Sequence, residues 1–345
     1  MDPLTHTLVG ANLASSKLGQ KTALAAAALV IGANLPDVDA ILYFTGHQDL
    51  ALGFRRGWTH GVLALAVLPL LQTALLLLYA RARRIAVSPR WLLALSFLAI
   101  LTHPFLDWLN NYGMRWLMPF RGTWFYGDSV FIMDPWLWLI LGCGWLAGRT
   151  PSRRLFWVWL FFAAALAFVV GRRSFAYLGI VAAVAIILLL ALLWRPKFDA
   201  KKLATAALAL AFAYIGARLA IHAYVATRVR AEMAGVERLM VAPHPYNPLR
   251  WDVVAQTGDV YRFGRWLAGD LQLEDETLPV AKPSPEFAQA IRDPGVRGFM
   301  TWVRFPTYTI ERTGNETRVR INDARYARRQ GLGGAVVVLP RGEQQ

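Results

Sequence analysis

Six stretches of this chain are apolar enough, and nearly long enough, to cross a lipid bilayer as helices: residues 61–80, 91–109, 133–147, 155–170, 175–194 and 203–222. A hydrocarbon core about 30 Å thick takes roughly 20 residues of α-helix. Segments of this length satisfy their backbone in lipid only as helices, so a polytopic helical bundle follows. The third and fourth runs are the short ones. Composition agrees, because 56% of the residues are hydrophobic and 17% charged, too apolar a balance for an ordinary soluble domain.

Basic clusters separate the runs: Arg81, Arg83, Arg84 and Arg90; Arg149, Arg153 and Arg154; Arg195, Lys197, Lys201 and Lys202. Placing these three loops in the cytoplasm by the positive-inside rule puts 35–60, 110–132, 171–174 and everything after 222 on the other side. Arg55, Arg56, Arg172 and Arg173 oppose this orientation without reversing it. Residues 1–222 carry 20 Lys/Arg and eight acids. These cations lie between apolar runs rather than along one polar face, which argues against nucleic-acid binding. Trp108, Trp116, Trp124, Trp136 and Trp138 flank the runs, as in an interfacial aromatic belt. Cys143 is the lone cysteine and cannot form an intramolecular disulfide. The first residues lack the basic start and long apolar core of a cleavable signal peptide and are expected to be retained.

Two further apolar stretches, Leu4–Ser16 and Thr22–Ala33, are too short to cross alone and read as a helical hairpin dipping into the membrane and returning. Asp2 suits the N-cap and Pro3 the first helical position. Past residue 222 the texture changes: every Glu lies there, and "RLMVAP", "WDVVAQTGDVYRFG", "MTWVRFPTYTIERTGNETRVRIND" and "AVVVLP" read as strands, with "TGD" and "TGNE" as turns. The expected fold class is thus an α-helical polytopic membrane domain, residues 1–222, followed by a soluble, mainly β domain, residues 223–345.

Ionisable groups at membrane depth cost about 3 kcal/mol each unless paired, hydrated or metal-bound. Four polar segments abut the apolar runs: "LTHTLVG" with His6, "NLPDVDA" with Asp37 and Asp39, "RRGWTHG" with His60, and "LTHPFLDWLNN" with His103 and Asp107. His103 and Asp107 share a helix face at i, i+4. Asp37 and Asp39 follow Pro36 in a turn, where one or both can point inward. All four segments fall at the non-cytoplasmic ends of their helices, although the topology came from Lys and Arg alone. Three His and two or three Asp suit one or two zinc or similar divalent ions, and such an ion activates water for hydrolysis. Asp39, His60 and Asp107 are the catalytic candidates; Arg115 and Arg121, on the same side, are candidates for binding substrate. Asp128 and Asp134 flank a helix start, where Asp134 can serve as a cap.

The same segments carry a resemblance. "DPLTHTLVGANLA", "GANLPDVDAI", "RGWTHGVLALAVLPLL" and "LTHPFLDWLNNYG" resemble the motifs of the YdjM-like group of inner-membrane, metal-dependent hydrolases, over roughly residues 1 to 200, and "PHPYNPLRW" looks like the start of the extra domain of its longer members. The resemblance implies a divalent-metal site from His6, Asp37 or Asp39, His60, His103 and Asp107. More remotely, the order His, Asp, His, His-x3-Asp is similar to the zinc-dependent phospholipase C and P1 nuclease group. That group completes a trinuclear cluster with further His residues and a His-x3-Glu pair, and neither follows Asp107 here.

The expected function is metal-dependent hydrolysis of a phosphoester or other ester in a lipid or lipid-linked substrate, in a bacterial inner membrane, with the site and the C-terminal domain on the non-cytoplasmic side. The alternative is a non-catalytic metal-binding membrane protein or a transporter.

Overall fold

Asp2 and Pro3 start the first helix as their chemistry dictates. The Asp2 carboxylate accepts from the Thr5 backbone N–H at 3.0 Å and the Thr5 hydroxyl at 2.6 Å, and Pro3 opens α1, Pro3–Ser15. A 3-10 turn, Lys17–Gln20, leads into α2, Ala25–Gly32. The two helices form a short hairpin whose approach depends on Gly10, where a Cβ would lie 2.8 Å from the Leu29 carbonyl oxygen. The computed structural model describes residues 1–46, 48–149, 152, 157, 175–193, 199–245, 247–313, 316–327 and 334–340.

After α2 the chain bends by 47° into a second 3-10 segment, Leu35–Phe44. There follow α3 (Gln48–Phe54), α4 (Val62–Arg83), α5 (Pro89–Trp108), α6 (Pro135–Leu146), α7 (Phe175–Leu193) and α8 (Ala200–Glu232). Among the described residues, four helices are long and apolar enough to cross a membrane: α4, α5, Ala176–Leu193 of α7, and α8. α6 has 12 residues, about 18 Å of helix, and is too short to span alone, unlike the expectation for 133–147. Apart from Trp157, the expected run 155–170 lies outside the described residues, as do the cations Arg153, Arg154, Arg172, Arg173, Arg195 and Lys197. α8 continues past the expected end at 222 to Glu232, and at 33 residues it measures about 50 Å.

The chain divides into two compact units. The first comprises Met1–Val38, Arg56–His222 and Pro243–Pro248, and the second Asp39–Arg55, Ala223–Ala242 and Leu249–Gln345. Residues 39–55 therefore group with the C-terminal part of the chain. In the first unit, Leu8, Leu29, Leu92, Leu95, Leu137 and Leu141 build the core. Trp138 belongs to that core and not to an interfacial belt: its indole N–H donates to the Thr5 hydroxyl at 3.0 Å and fastens the start of α1.

In the second unit, β1 (Val236–Pro243), β2 (Arg250–Thr257), β3 (Val260–Leu267) and β4 (Asp270–Pro279) form one sheet in that order; β5 (Pro306–Thr313), β6 (Glu316–Asp323) and β7 (Gly334–Pro340) form another. Neighbours from β2 to β4 and from β5 to β7 are antiparallel. The "TGD" turn joins β2 to β3 with Gly258 at φ +57°. Met300–Trp302, read as strand from the sequence, instead ends a helix: α9 is Pro285–Ala290 and α10 is Pro294–Trp302, capped by Asp293. The capping aspartate followed by proline outweighs the β propensity of the next residues.

Candidate metal centre

Each of the four polar segments delivers its side chain for a local reason. His6 lies in the second turn of α1, which Asp2 starts. Asp37 begins the 3-10 segment, its N–H donating to the Asn34 carbonyl at 3.1 Å. His60 stands just before Gly61, the N-cap of α4. His103 and Asp107 occupy the last two turns of α5, one above the other. One donor atom from each of Asp37, His60, His103 and Asp107 falls within a group spanning 4.8 Å.

Asp107 is the hub. Its Oδ2 lies 3.2 Å from His60 Nε2 and 3.6 Å from His103 Nε2; its Oδ1 lies 3.3 Å from His6 Nε2. Asp37 Oδ1 is 3.6 Å from His103 Nε2 and 3.8 Å from His60 Nε2. The His6 and His103 rings stack at 3.7 Å, and His60 meets His103 edge-on at 4.9 Å. The three histidines and Asp107 are wholly buried, while the Asp37 side chain keeps 15% exposure and is the most accessible member.

Hydrogen bonds outside the cluster orient its rings. His103 Nδ1 lies 2.7 Å from the Ala33 carbonyl oxygen. A carbonyl only accepts, so that nitrogen carries the hydrogen, and in the neutral ring Nε2 then presents its lone pair toward two carboxylates. His103 Nε2 and the two carboxylates thus converge in a buried space, and beyond the Arg56 guanidinium beside Asp107 Oδ2 this donor set suits a further cation. Thr59 Oγ1 stands 2.9 Å from His60 Nδ1 and orients the second ring, the hydroxyl being able to donate or accept. Among the described residues, both nitrogens of His6, Nε2 of His103 and Oδ2 of Asp107 make no hydrogen bond. Imidazole nitrogens and carboxylate oxygens with ring partners behind them are the donor set of a zinc-like divalent ion, so the residues fit the group they were expected to hold.

Asp39 is not in the four-residue group. Its buried carboxylate accepts from Arg55 at 2.8 Å. Arg115 is buried, with its guanidinium against Gly57 and 5.0 Å from the Trp124 ring; Arg121 is exposed. Asp134 caps α6 by accepting from the N–H groups of Trp136 and Leu137, and it also takes the Tyr214 hydroxyl at 3.0 Å. Asp128 is buried, with φ +45°.

Sequence reasoning passed over Arg56, counting it as a loop charge. It is 1% exposed and belongs to the centre: Nε lies 3.1 Å from Asp107 Oδ2, an η nitrogen donates to Asn110 Oδ1 at 3.0 Å and to the Gly113 carbonyl at 3.3 Å, and the Tyr112 ring lies 4.5 Å away. The Met1 α-amino group also contacts Asp107 Oδ1. The signal was present in "RRGWTHG" and "LDWLNN", where Arg56 and Asn110 stand within four residues of His60 and Asp107.

The profile of a family described as YdjM inner membrane protein matches residues 1–176. Among curated proteins the chain is similar to the uncharacterized protein YfhP of Bacillus subtilis (strain 168), with 28% identity over 164 residues, covering 44% of this chain and 48% of the relative. The chain thus spans about half the length of the curated relative it matches. No solved structure matches.

Proposed function

The chain belongs to the YdjM inner membrane protein family, and from that premise we propose that it is a membrane-embedded, metal-dependent hydrolase acting on a phosphoester or other ester of a lipid or lipid-linked substrate. The observation that carries the reading is the convergence on His103: with Nδ1 committed to the Ala33 carbonyl, Nε2 faces both Asp37 Oδ1 and Asp107 Oδ2 at 3.6 Å. Asp37, His60, His103 and Asp107 would hold one divalent ion, zinc or a similar metal, with His6 beside Asp107 available for a second. When bound, such an ion supplies Lewis acidity and activates water near neutral pH.

The chain's own residues supply the rest. Asp107 is oriented by Arg56, whose charge also offsets the buried carboxylate. Asp37, the most accessible member, is the group a substrate meets first. Arg115, buried against Gly57, is the candidate to steady an anionic group. The ligands gather at the ends of α4 and α5 opposite Arg81, Arg83, Arg84 and Arg90. On this reading the chemistry sits at one face of the bilayer, where a lipid headgroup would arrive without leaving the membrane. By the positive-inside rule that face is non-cytoplasmic.

The burial of three histidines and Asp107 favours a second reading, a structural metal site, because catalytic sites keep an open position. The two separate by experiment. His103→Ala and Asp107→Ala variants that insert normally but lose turnover of phospholipid or lipid-linked phosphoester substrates support the hydrolase. A wild-type protein that retains its metal and turns over no substrate on such a panel supports the structural reading.

A further inference from the structure

The seam between α4 and α5 forms a groove of about 510 Å³, on the scale of one lipid tail. Along α5 its wall is Arg90, Leu93 and Phe97, a single face by helical spacing; along α4 it is Leu65, Pro69 and Leu70. Pro69 cannot donate to the Leu65 carbonyl one turn back, so the helix lacks a backbone bond where it lines the groove. The walls are apolar and open outward, with Leu70 59% and Phe97 47% exposed. Arg90, in the first turn of α5, is the one charged residue lining the groove.

The charge around Arg90 is one-sided. Arg81 and Arg83 end α4 and Arg84 is its C-cap, six to nine residues before Arg90 in the chain, and residues 50–106 contain no Asp or Glu. Among the described residues no ion pair reaches any of these four arginines. Aromatic rings accompany the neighbouring cations: Arg83 lies 5.9 Å from the Tyr79 ring, and Lys21 lies 4.7 Å from the Trp91 ring. Cations beside amphipathic rings, at the end of membrane helices, occupy headgroup depth.

From the apolar seam and the arginine at its end we infer that the α4–α5 groove is a binding site for an anionic phospholipid, one acyl chain lying between Leu65–Leu70 and Leu93–Phe97 and the phosphate meeting Arg90. A zwitterionic lipid offers the same tails with a compensating ammonium, so Arg90 selects for net negative charge. The site is separate from the His/Asp cluster and holds whether or not that cluster is catalytic.

The full-length protein, purified from a mixture of equal phosphatidylglycerol and phosphatidylcholine and examined by native mass spectrometry, tests the site. Wild type is expected to retain phosphatidylglycerol about fivefold over phosphatidylcholine, the weight of one basic side chain at an anionic surface. Arg90→Gln removes that preference while Arg90→Lys keeps it, and Ala94→Phe, which fills the groove, lowers retention of both lipids. The melting temperature of each variant controls for folding. An unchanged preference in Arg90→Gln, or unchanged retention in Ala94→Phe, overturns the assignment. So does an equal loss in Arg83→Gln, because the headgroup would then be spread over the whole basic end.

Discussion

Replacing Arg56 by lysine keeps the charge at the metal centre and removes the fork. In the native arrangement Nε lies 3.1 Å from Asp107 Oδ2 while an η nitrogen holds Asn110 Oδ1 at 3.0 Å and the Gly113 carbonyl at 3.3 Å. A lysine ammonium is one point and cannot serve the carboxylate and the 110–113 loop together. Hydrogen bonds to charged groups contribute about 1.5–3 kcal/mol, and losing a partner behind a metal ligand typically costs about 10- to 100-fold in metal affinity. Arg56→Lys is therefore expected to bind metal about 10- to 100-fold more weakly, measured by competition with a chromophoric chelator, with a modest fall in melting temperature. Arg56→Ala, which leaves the wholly buried Asp107 with less compensating charge, is expected to lose about 3–5 kcal/mol of stability. A double-mutant cycle with Asn110→Ala tests the route, since residues in one network couple by about 0.5–3 kcal/mol. Wild-type metal affinity in Arg56→Lys, or strictly additive effects with Asn110→Ala, refutes the reasoning.

Other substitutions probe the frame around the centre. At Gly61 a Cβ would lie 2.5 Å from the Met118 carbonyl oxygen and 3.0 Å from that of Gly57. Backbone cannot yield cheaply, so Gly61→Ala is expected to cost about 1–3 kcal/mol and to weaken metal binding through His60; Gly179→Ala, in α7 with nothing within 4 Å, is expected to leave both unchanged or raise stability slightly, as read by thermal melting. In the second unit, burial alone would raise the Asp323 pKa, but Arg325 at 2.7 Å and N–H donors from Arg304 and Arg325 hold it below 3.8. A depressed carboxylate pKa contributes stability that is present above its unfolded value and lost as pH falls through the folded one. Wild type is thus expected to lose stability at the second unit's transition as pH drops below about 4, with Asp323→Asn less stable at pH 7 and flatter across that range; equal pH profiles in urea titrations would count against the pair.

The segments that build the centre were legible because membrane interiors tolerate few ionisable groups without a reason. His6, His60, His103 and Asp107 stood out against apolar neighbours, and i, i+4 spacing already put the last two on one face. The choice between Asp37 and Asp39 was not legible. It depends on a 3-10 segment in which Asp39 meets Arg55, a pairing across a fold that no periodicity encodes. Arg56 was missed for a related reason, since next to Arg55 it reads as loop charge until α5 brings Asp107 beside it. In the β unit the β2–β3 hairpin followed from "TGD", and the centre of "TGNE" lies outside the described residues; β4, "DLQLEDETLP", was missed because its mostly exposed, acid-rich pattern lacks the alternation of a half-buried strand. Trp138 looked interfacial by its position in the chain, although its indole N–H donates to the Thr5 hydroxyl at the start of a helix more than 130 residues away.

The most direct test is elemental analysis of the purified full-length protein beside His103→Ala and Asp107→Asn, with insertion checked by melting temperature. Convergence of two carboxylates with the Nε2 atoms of His60 and His103 predicts a divalent metal near one or two equivalents per chain in wild type, and about a tenth of that or less in either variant. Metal absent from folded wild type even after reconstitution with zinc, or equal metal in wild type and both variants, would contradict the assignment of the His/Asp cluster as a metal centre.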